Sequence, residues 1–246
     1  MFYFDSSQVN IFSRAVSVYA IIPVFGAVAA ALAATLFAKQ KKADAARVFT
    51  LSIVVFIAGA IMRLYQDKAP DFTVPFGVLL GTAGVSAVFG LFGKMKNDAV
   101  TYLQAAAVGL SVFLSSCKLG CFIVGCCHGN AYDGAFSVTY SENTFCETPD
   151  TPFFPIQLVT AFLLLLVAII AFFALRKSNS RYSWLAVLAA FLTAYHGCAL
   201  FVSKSASAMI INNVNIAVII SALSAAVMIT TSALTIKEVK NEKKRL

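Results

Sequence analysis

The sequence predicts an all-α fold: a polytopic membrane protein with about seven transmembrane helices and an outer-side loop of about 35 residues between spans four and five. Residues 1–246 read as a single transmembrane domain. Three observations carry this. Hydrophobic residues make up 60% of the chain and charged residues 12%, with a mean hydropathy of +0.84; soluble domains carry about 25% charged residues. Apolar runs of about 20 residues, the length that crosses a bilayer, recur along nearly the whole chain. Basic residues gather in alternate connecting segments. No hydrophilic block is long enough for a separate soluble domain.

The first span is expected at Ala15–Ala38. It is too long for a signal peptide and lacks a small-residue cleavage pattern, so it is expected to remain in the chain. The next spans are expected at Ala46–Tyr65, Phe72–Phe92 and Val100–Cys117, followed by Phe154–Leu175, Tyr182–Val202 and Val214–Ile236. In the third, Gly77, Gly81, Gly84 and Gly90 fall near small-xxx-small spacing, which favours close helix packing over lipid exposure. No internal repeat or low-complexity linker is evident.

Fourteen of the nineteen basic residues follow the first, third, fifth and seventh spans. The other segments hold Arg14, Arg63, Lys68, Lys118 and Lys204, with seven of the eleven acids. The positive-inside rule then puts the N-terminus outside and the C-terminus in the cytoplasm. The net charge of +8 is thus a topological signal, with attraction to anionic lipid second. A nucleic-acid partner is not expected, because no basic face stands apart from the membrane.

One stretch departs from the plain apolar pattern. Residues 117–130 (CKLGCFIVGCCHGN) contain four of the six cysteines, Lys118, His128, and the glycines Gly120, Gly125 and Gly129. Glycine permits positive φ and close backbone approach, so a bent, non-helical segment at the membrane face is expected here. The loop from about Lys118 to Phe153 carries Asp133, Glu142, Glu147 and Asp150, and residues 135–140 alternate like a short strand. A loop this long without structure of its own is uncommon unless functional. Outside the cell, Cys121, Cys126, Cys127 and Cys146 are available for one or two disulfides stapling it. A metal site from Cys126, Cys127, His128 and Cys146 is the weaker reading, since adjacent cysteines are not the usual C-x₂-C spacing. The same holds for thiol-oxidoreductase chemistry, for which C-x-x-C is absent.

The segment G-C-F-x-x-G-C-C-x-G, followed by Pro155-Ile156-Gln157-Leu158, resembles the prolipoprotein diacylglyceryl transferase family. Tyr19, Gly26, Gly59-Ala60 with Arg63-Leu64, and the last span after Asn213 and Asn215 extend the likeness. The resemblance implies a seven-span enzyme of the bacterial inner membrane, N-terminus outside. Such an enzyme transfers diacylglycerol from phosphatidylglycerol to the lipobox cysteine thiol of a preprolipoprotein and releases glycerol phosphate. It implies no cofactor and no metal. The signature departs at known places. Lys118 stands for an arginine, Cys121 for an asparagine and Cys126 for a glutamate. At Phe154-Pro155 and Val159-Thr160 the family's histidine and glutamate are missing.

The implied chemistry assigns roles. An anionic phosphodiester needs cations to hold it, and Lys118 and Arg63 are the candidates. The acceptor thiol must lose a proton, for which His128 is the expected base; His196, inside the sixth span, reads better as an interhelical hydrogen-bonding residue. Gly120, Gly125, Gly129, Asn130 and Gln157 complete the expected substrate-binding set, with Gln157 either orienting the headgroup or capping backbone groups. Two other classes stay open: a relative that binds lipid or lipoprotein without transfer, and a membrane redox protein using Cys121, Cys126, Cys127 and Cys146.

Overall fold

The structure, a computed structural model, describes residues 2–4, 8–11, 14–64, 96–177, 180, 182–201, 210–211 and 214–245. The expected third span, 72–92, lies outside them. Six helices run through the described residues: α1 Val18–Gln40, α2 Ala45–Leu64, α3 Lys96–Val124, α4 Ile156–Ala174, α5 Ser183–Ala199 and α6 Ile216–Arg245. Four of them, α1, α3, α4 and α6, are long and apolar enough to cross a membrane. In α2 the apolar stretch within the described residues is Ala45–Val55, and α5 is a shorter apolar helix. Its 17 residues span about 26 Å, short of the ~30 Å hydrocarbon core. Of the seven spans expected from the sequence, four are met by helices long and apolar enough to cross a membrane; the 20-residue α2 covers the second, the 17-residue α5 covers most of the sixth, and the third lies outside the described residues.

α3 is the hub. It packs against α1, α2, α4 and α5, and 72% of its span is buried, against 11% for α6. A seam of small residues lets α1 approach it: Ala27, Ala30, Ala31 and Ala34 are fully buried. A Cβ added to Gly26 would stand 2.6 Å from the Ser116 Cβ, so only glycine fits that crossing. Phe113, Leu114, Leu164, Phe191 and Tyr195 fill the centre of the bundle.

At one end, a buried polar chain ties the elements together. Lys41 Nζ donates to Gln104 Oε1 at 2.9 Å, and Gln104 Nε2 donates to Ser183 Oγ at 2.5 Å. At the other end, the N-terminal strand β1 (Phe2–Phe4) pairs in parallel with a strand of the α3–α4 connection, Val138–Tyr140. The short hairpins Gln8–Ile11/Arg14–Ser17 and Ile210–Ile211/Val214–Asn215 precede α1 and α6. The first helix thus begins at Val18, because Arg14–Ser17 is extended.

The α3–α4 connection is shorter and better ordered than expected. α3 continues through Lys118 to Val124, so the loop starts at Gly125. Val138, Tyr140, Cys146 and Phe153, with Phe4 and Phe122, form a small core of its own. Val138 and Phe153 exchange backbone hydrogen bonds at 3.0 and 2.8 Å. The strand expected near 135–140 is present at Val138–Tyr140. No disulfide bond joins any of the six cysteines in the structure. Apolar packing and backbone pairing order the loop instead.

Candidate functional site

The residues singled out from the sequence surround the end of α3. The segment 117–124 is helical rather than bent, since one glycine in a helix interior costs only about 1 kcal/mol and the helix end is well satisfied. The last carbonyls of a helix lack intrahelical donors; here two of them, and one carbonyl in the turn that follows, receive donors from other elements. The Tyr140 hydroxyl donates to Phe122 O at 2.7 Å, Phe145 N–H to Val124 O at 2.8 Å, and Gln157 Nε2 to Cys126 O at 3.0 Å. Gly125, at φ +80°, makes the turn. A Cβ there would lie 2.9 Å from the Tyr140 ring. Cys127 follows at φ +53°, a sparsely populated conformation for a residue with a Cβ.

Lys118 was expected where the fourth span meets the headgroups. Six residues short of the helix end, it lies about 9 Å further along the axis. It is half-buried, with its ammonium 4.9 Å from the centroid of the Tyr195 ring on α5. A charge in a span costs about 2.5–3.5 kcal/mol on insertion scales, and a desolvated cation–π contact returns about 2 kcal/mol. Cys121 sits one turn on, at i+3, on the same face of α3.

His128 is 2% exposed rather than facing solvent. Its ring packs on Phe153 with centroids 3.9 Å apart. Nδ1 lies 3.0 Å from Gly129 O, which can only accept. Nδ1 therefore carries the donated proton, so that Nε2 is the ring nitrogen that can offer a lone pair. That Nε2 is buried with no hydrogen-bond partner, as is Gln157 Oε1. Of the two roles the sequence allowed Gln157, the structure shows the capping one: its amide nitrogen holds a backbone carbonyl.

The remaining expected residues divide. Gly129 has a packing role, for a Cβ there would meet Phe154 O at 2.5 Å. Gly120 is buried within α3, while Asn130 is exposed and its carbonyl accepts from Phe154 N–H at 3.1 Å. Arg63 falls in the last turn of α2, and its side chain lies outside the described residues. The sulfurs of Cys121, Cys126 and Cys127 lie within 4.8 Å of one another. Cys146 stands apart, its Sγ donating to Thr148 O at 3.5 Å. The neighbouring Cys121 and Cys127 thiols, then burial, hold the Cys126 thiol well above the usual range. Burial also pushes up the Cys146 thiol and the Tyr140 phenol.

The comparison that decides identity is a family match, Prolipoprotein diacylglyceryl transferase, over residues 74–234. The chain belongs to that family. No curated protein and no solved structure matches it. Prolipoprotein diacylglyceryl transferases act on lipid and lipoprotein substrates, which agrees with a membrane-embedded helical bundle.

A transferase of this family needs room for acyl chains beside its polar site. A cavity of about 630 Å³ opens between α1, α3 and the start of α4, lined by Phe25, Gly26, Leu119, Phe122, Ile123 and Leu158 among others. It runs along the face of α3 that carries Ser116, Leu119 and Ile123; Lys118 is not among its lining residues, and its ammonium lies toward Tyr195 on α5. Sequence reasoning missed two residues here. Tyr195 positions the Lys118 ammonium, and Tyr140 closes the helix end. The 135–140 alternation did not single out Tyr140, because Val138, Thr139 and Tyr140 are all buried while Phe136, in the same phase, is exposed; nothing local pointed from Tyr195 to Lys118.

Proposed function

We propose that the chain is a diacylglyceryl transferase of the bacterial plasma membrane. It moves diacylglycerol from phosphatidylglycerol to the lipobox cysteine thiol of a preprolipoprotein. The observation that carries this reading is a lysine held inside a span, at the signature of a family whose members handle lipids. Acyl chains occupy the apolar cavity between α1 and α3. The Lys118 ammonium faces the phosphodiester and stabilises the charge that grows on the leaving phosphate. Arg63 is the second candidate cation. The thiol sulfur forms a bond to the glyceryl carbon as that carbon's bond to the phosphate oxygen breaks. The electron pair leaves with glycerol phosphate, and His128 Nε2 takes the thiol proton. The site faces outward, with the N-terminus outside and the C-terminus cytoplasmic, in keeping with the charge bias of the connecting segments.

A second reading, lipid or lipoprotein binding without transfer, is favoured by one observation. The four loop acids, Asp133, Glu142, Glu147 and Asp150, are all exposed, so none of them faces the buried site. Incubation of the purified chain with labelled phosphatidylglycerol and a lipobox peptide separates the two. Thioether product supports transfer; saturable lipid binding without product supports the second reading; neither overturns both.

A further inference from the structure

Three of the six thiols converge at the end of α3, and nothing in the transfer reaction uses them as a group. Cys121 occupies the last turn of α3 and is 2% exposed. Gly125, at φ +80°, reverses the chain, and Cys127, at φ +53°, keeps it curling back. Residues five and six positions further along thereby return to the first. The three sulfurs lie within 4.8 Å of one another.

We propose that Cys121, Cys126 and Cys127 form a three-thiolate site for a soft closed-shell cation of the Cu(I) or Zn²⁺ class. The proposal is independent of the transferase reading, since it requires neither lipid nor acceptor peptide.

Thiolate ligands select such cations over hard ones. With metal–sulfur bonds of about 2.3 Å, sulfurs in a trigonal or tetrahedral set stand about 3.8–4.0 Å apart. The present separations reach that with movement of less than about 1 Å. The competing chemistry is a disulfide, most directly from Cys121 to Cys126 or Cys127. It uses two sulfurs and leaves the third. Its most adjacent pair, Cys126 and Cys127, has Cα atoms about 3.8 Å apart, below the 4.4–6.8 Å that disulfides usually span.

The site is held as ligand sites are held. Gln157 Nε2 fixes the Cys126 carbonyl, and the Tyr140 hydroxyl fixes the helix turn that carries Cys121. Three sulfurs satisfy Cu(I) outright and leave a fourth position open on Zn²⁺. The site differs from the set read off the sequence. Cys121 replaces Cys146, whose thiol points to Thr148 O, and the His128 nitrogens stand outside the sulfur cluster.

The test uses the full-length chain, purified in detergent and fully reduced. It is titrated separately with Zn²⁺, with Cu(I) under reductant, and with Cd²⁺ as a spectroscopic probe. The expected result is one metal per chain with thiolate-to-metal charge-transfer absorption. Cys121→Ser, Cys126→Ser and Cys127→Ser should each lose it, while Cys146→Ser and Cys198→Ser keep it. In the unaltered chain, metal at ten times its Kd should slow alkylation of Cys126 and Cys127 by about tenfold. That measurement decides the matter even where a serine variant fails to fold. Alkylation rates indifferent to all three metals overturn the proposal. So does metal uptake that persists in the serine variants, or a disulfide joining two of the three cysteines in unreduced protein from cells.

Discussion

Replacing Lys118 by methionine keeps the aliphatic stem and removes the ammonium. Two consequences follow from its position, and they point in opposite directions. A charge-assisted contact to phosphate is worth about 1.5–3 kcal/mol, so phosphatidylglycerol binding should weaken roughly ten- to a hundredfold. The bundle, however, no longer holds a half-buried charge within α3. Relief of about 2.5–3.5 kcal/mol outweighs loss of the contact over Tyr195, worth about 0.5–2 kcal/mol. Thermal stability should therefore hold or rise while binding falls. Lys118→Arg should retain binding, because a guanidinium can engage two phosphate oxygens. The assays are lipid titration and thermal unfolding in the same detergent, with the parent alongside. Lys118→Met that binds phosphatidylglycerol like the parent but melts earlier would refute the reasoning; the lysine would then be a structural pin on Tyr195.

Gly125→Ala places a Cβ at φ +80°, against the Tyr140 ring at 2.9 Å. It should destabilise by about 2–4 kcal/mol from left-handed backbone strain and overpacking, read as a lower Tm, and an unchanged Tm would remove the turn argument. Gln157→Leu leaves the Cys126 carbonyl without its donor; unfolding measurements should show a loss of about 1–3 kcal/mol. The Cys126, Cys146 and Tyr140 groups are all shifted upward. Metal-free stability should therefore be full below about pH 8.5, the unfolded thiol value, and decline as pH rises further, because the unfolded state ionises first. A melting temperature flat up to pH 10 would contradict those shifts. Lastly, a membrane-impermeant thiol reagent should label the reduced Cys126–Cys127 turn on intact cells, while a tag after Leu246 stays protected from external protease. Labelling only after lysis would reverse the orientation.

The apolar runs made most helices legible, because a span needs nothing beyond length and hydropathy. The end of α3 was not legible. Three glycines in ten residues read as a bend, yet Gly120 continues the helix and only Gly125 turns the chain. What decides between them is donated from afar: the Tyr140 hydroxyl, Phe145 N–H and the Gln157 amide. Lys118 shifted from the interface into the span for the same reason. The thiol cluster was hidden as well, since spacings of five and six residues meet only after a specific positive-φ turn. The role of Gln157 was half visible, through its place just after Pro155 at the start of a span.

Of the assigned roles, that of His128 as base makes the heaviest demand on the loop. Nε2 has the lone pair, but the ring is 2% exposed beneath Phe153. For an acceptor thiol to reach it, Phe153 must lift away and its two backbone bonds to Val138 must open. Two such bonds are worth about 1–3 kcal/mol net, and exposing a phenylalanine adds about 1.5–3 kcal/mol. The open loop would then be populated at roughly one part in sixty to one in twenty thousand. Loop openings recur on microsecond to millisecond timescales, so this population is compatible with a typical turnover of about 10 s⁻¹. Turnover would then scale with the open population. Phe153→Leu preserves apolar packing while removing the ring stacked on His128. If His128 is the base, that variant should raise turnover and leave phosphatidylglycerol binding unchanged, because Lys118 is held by α5 rather than by the loop. If turnover is unchanged in Phe153→Leu and also survives His128→Gln, the proton leaves by another route and His128 belongs to the loop's core alone.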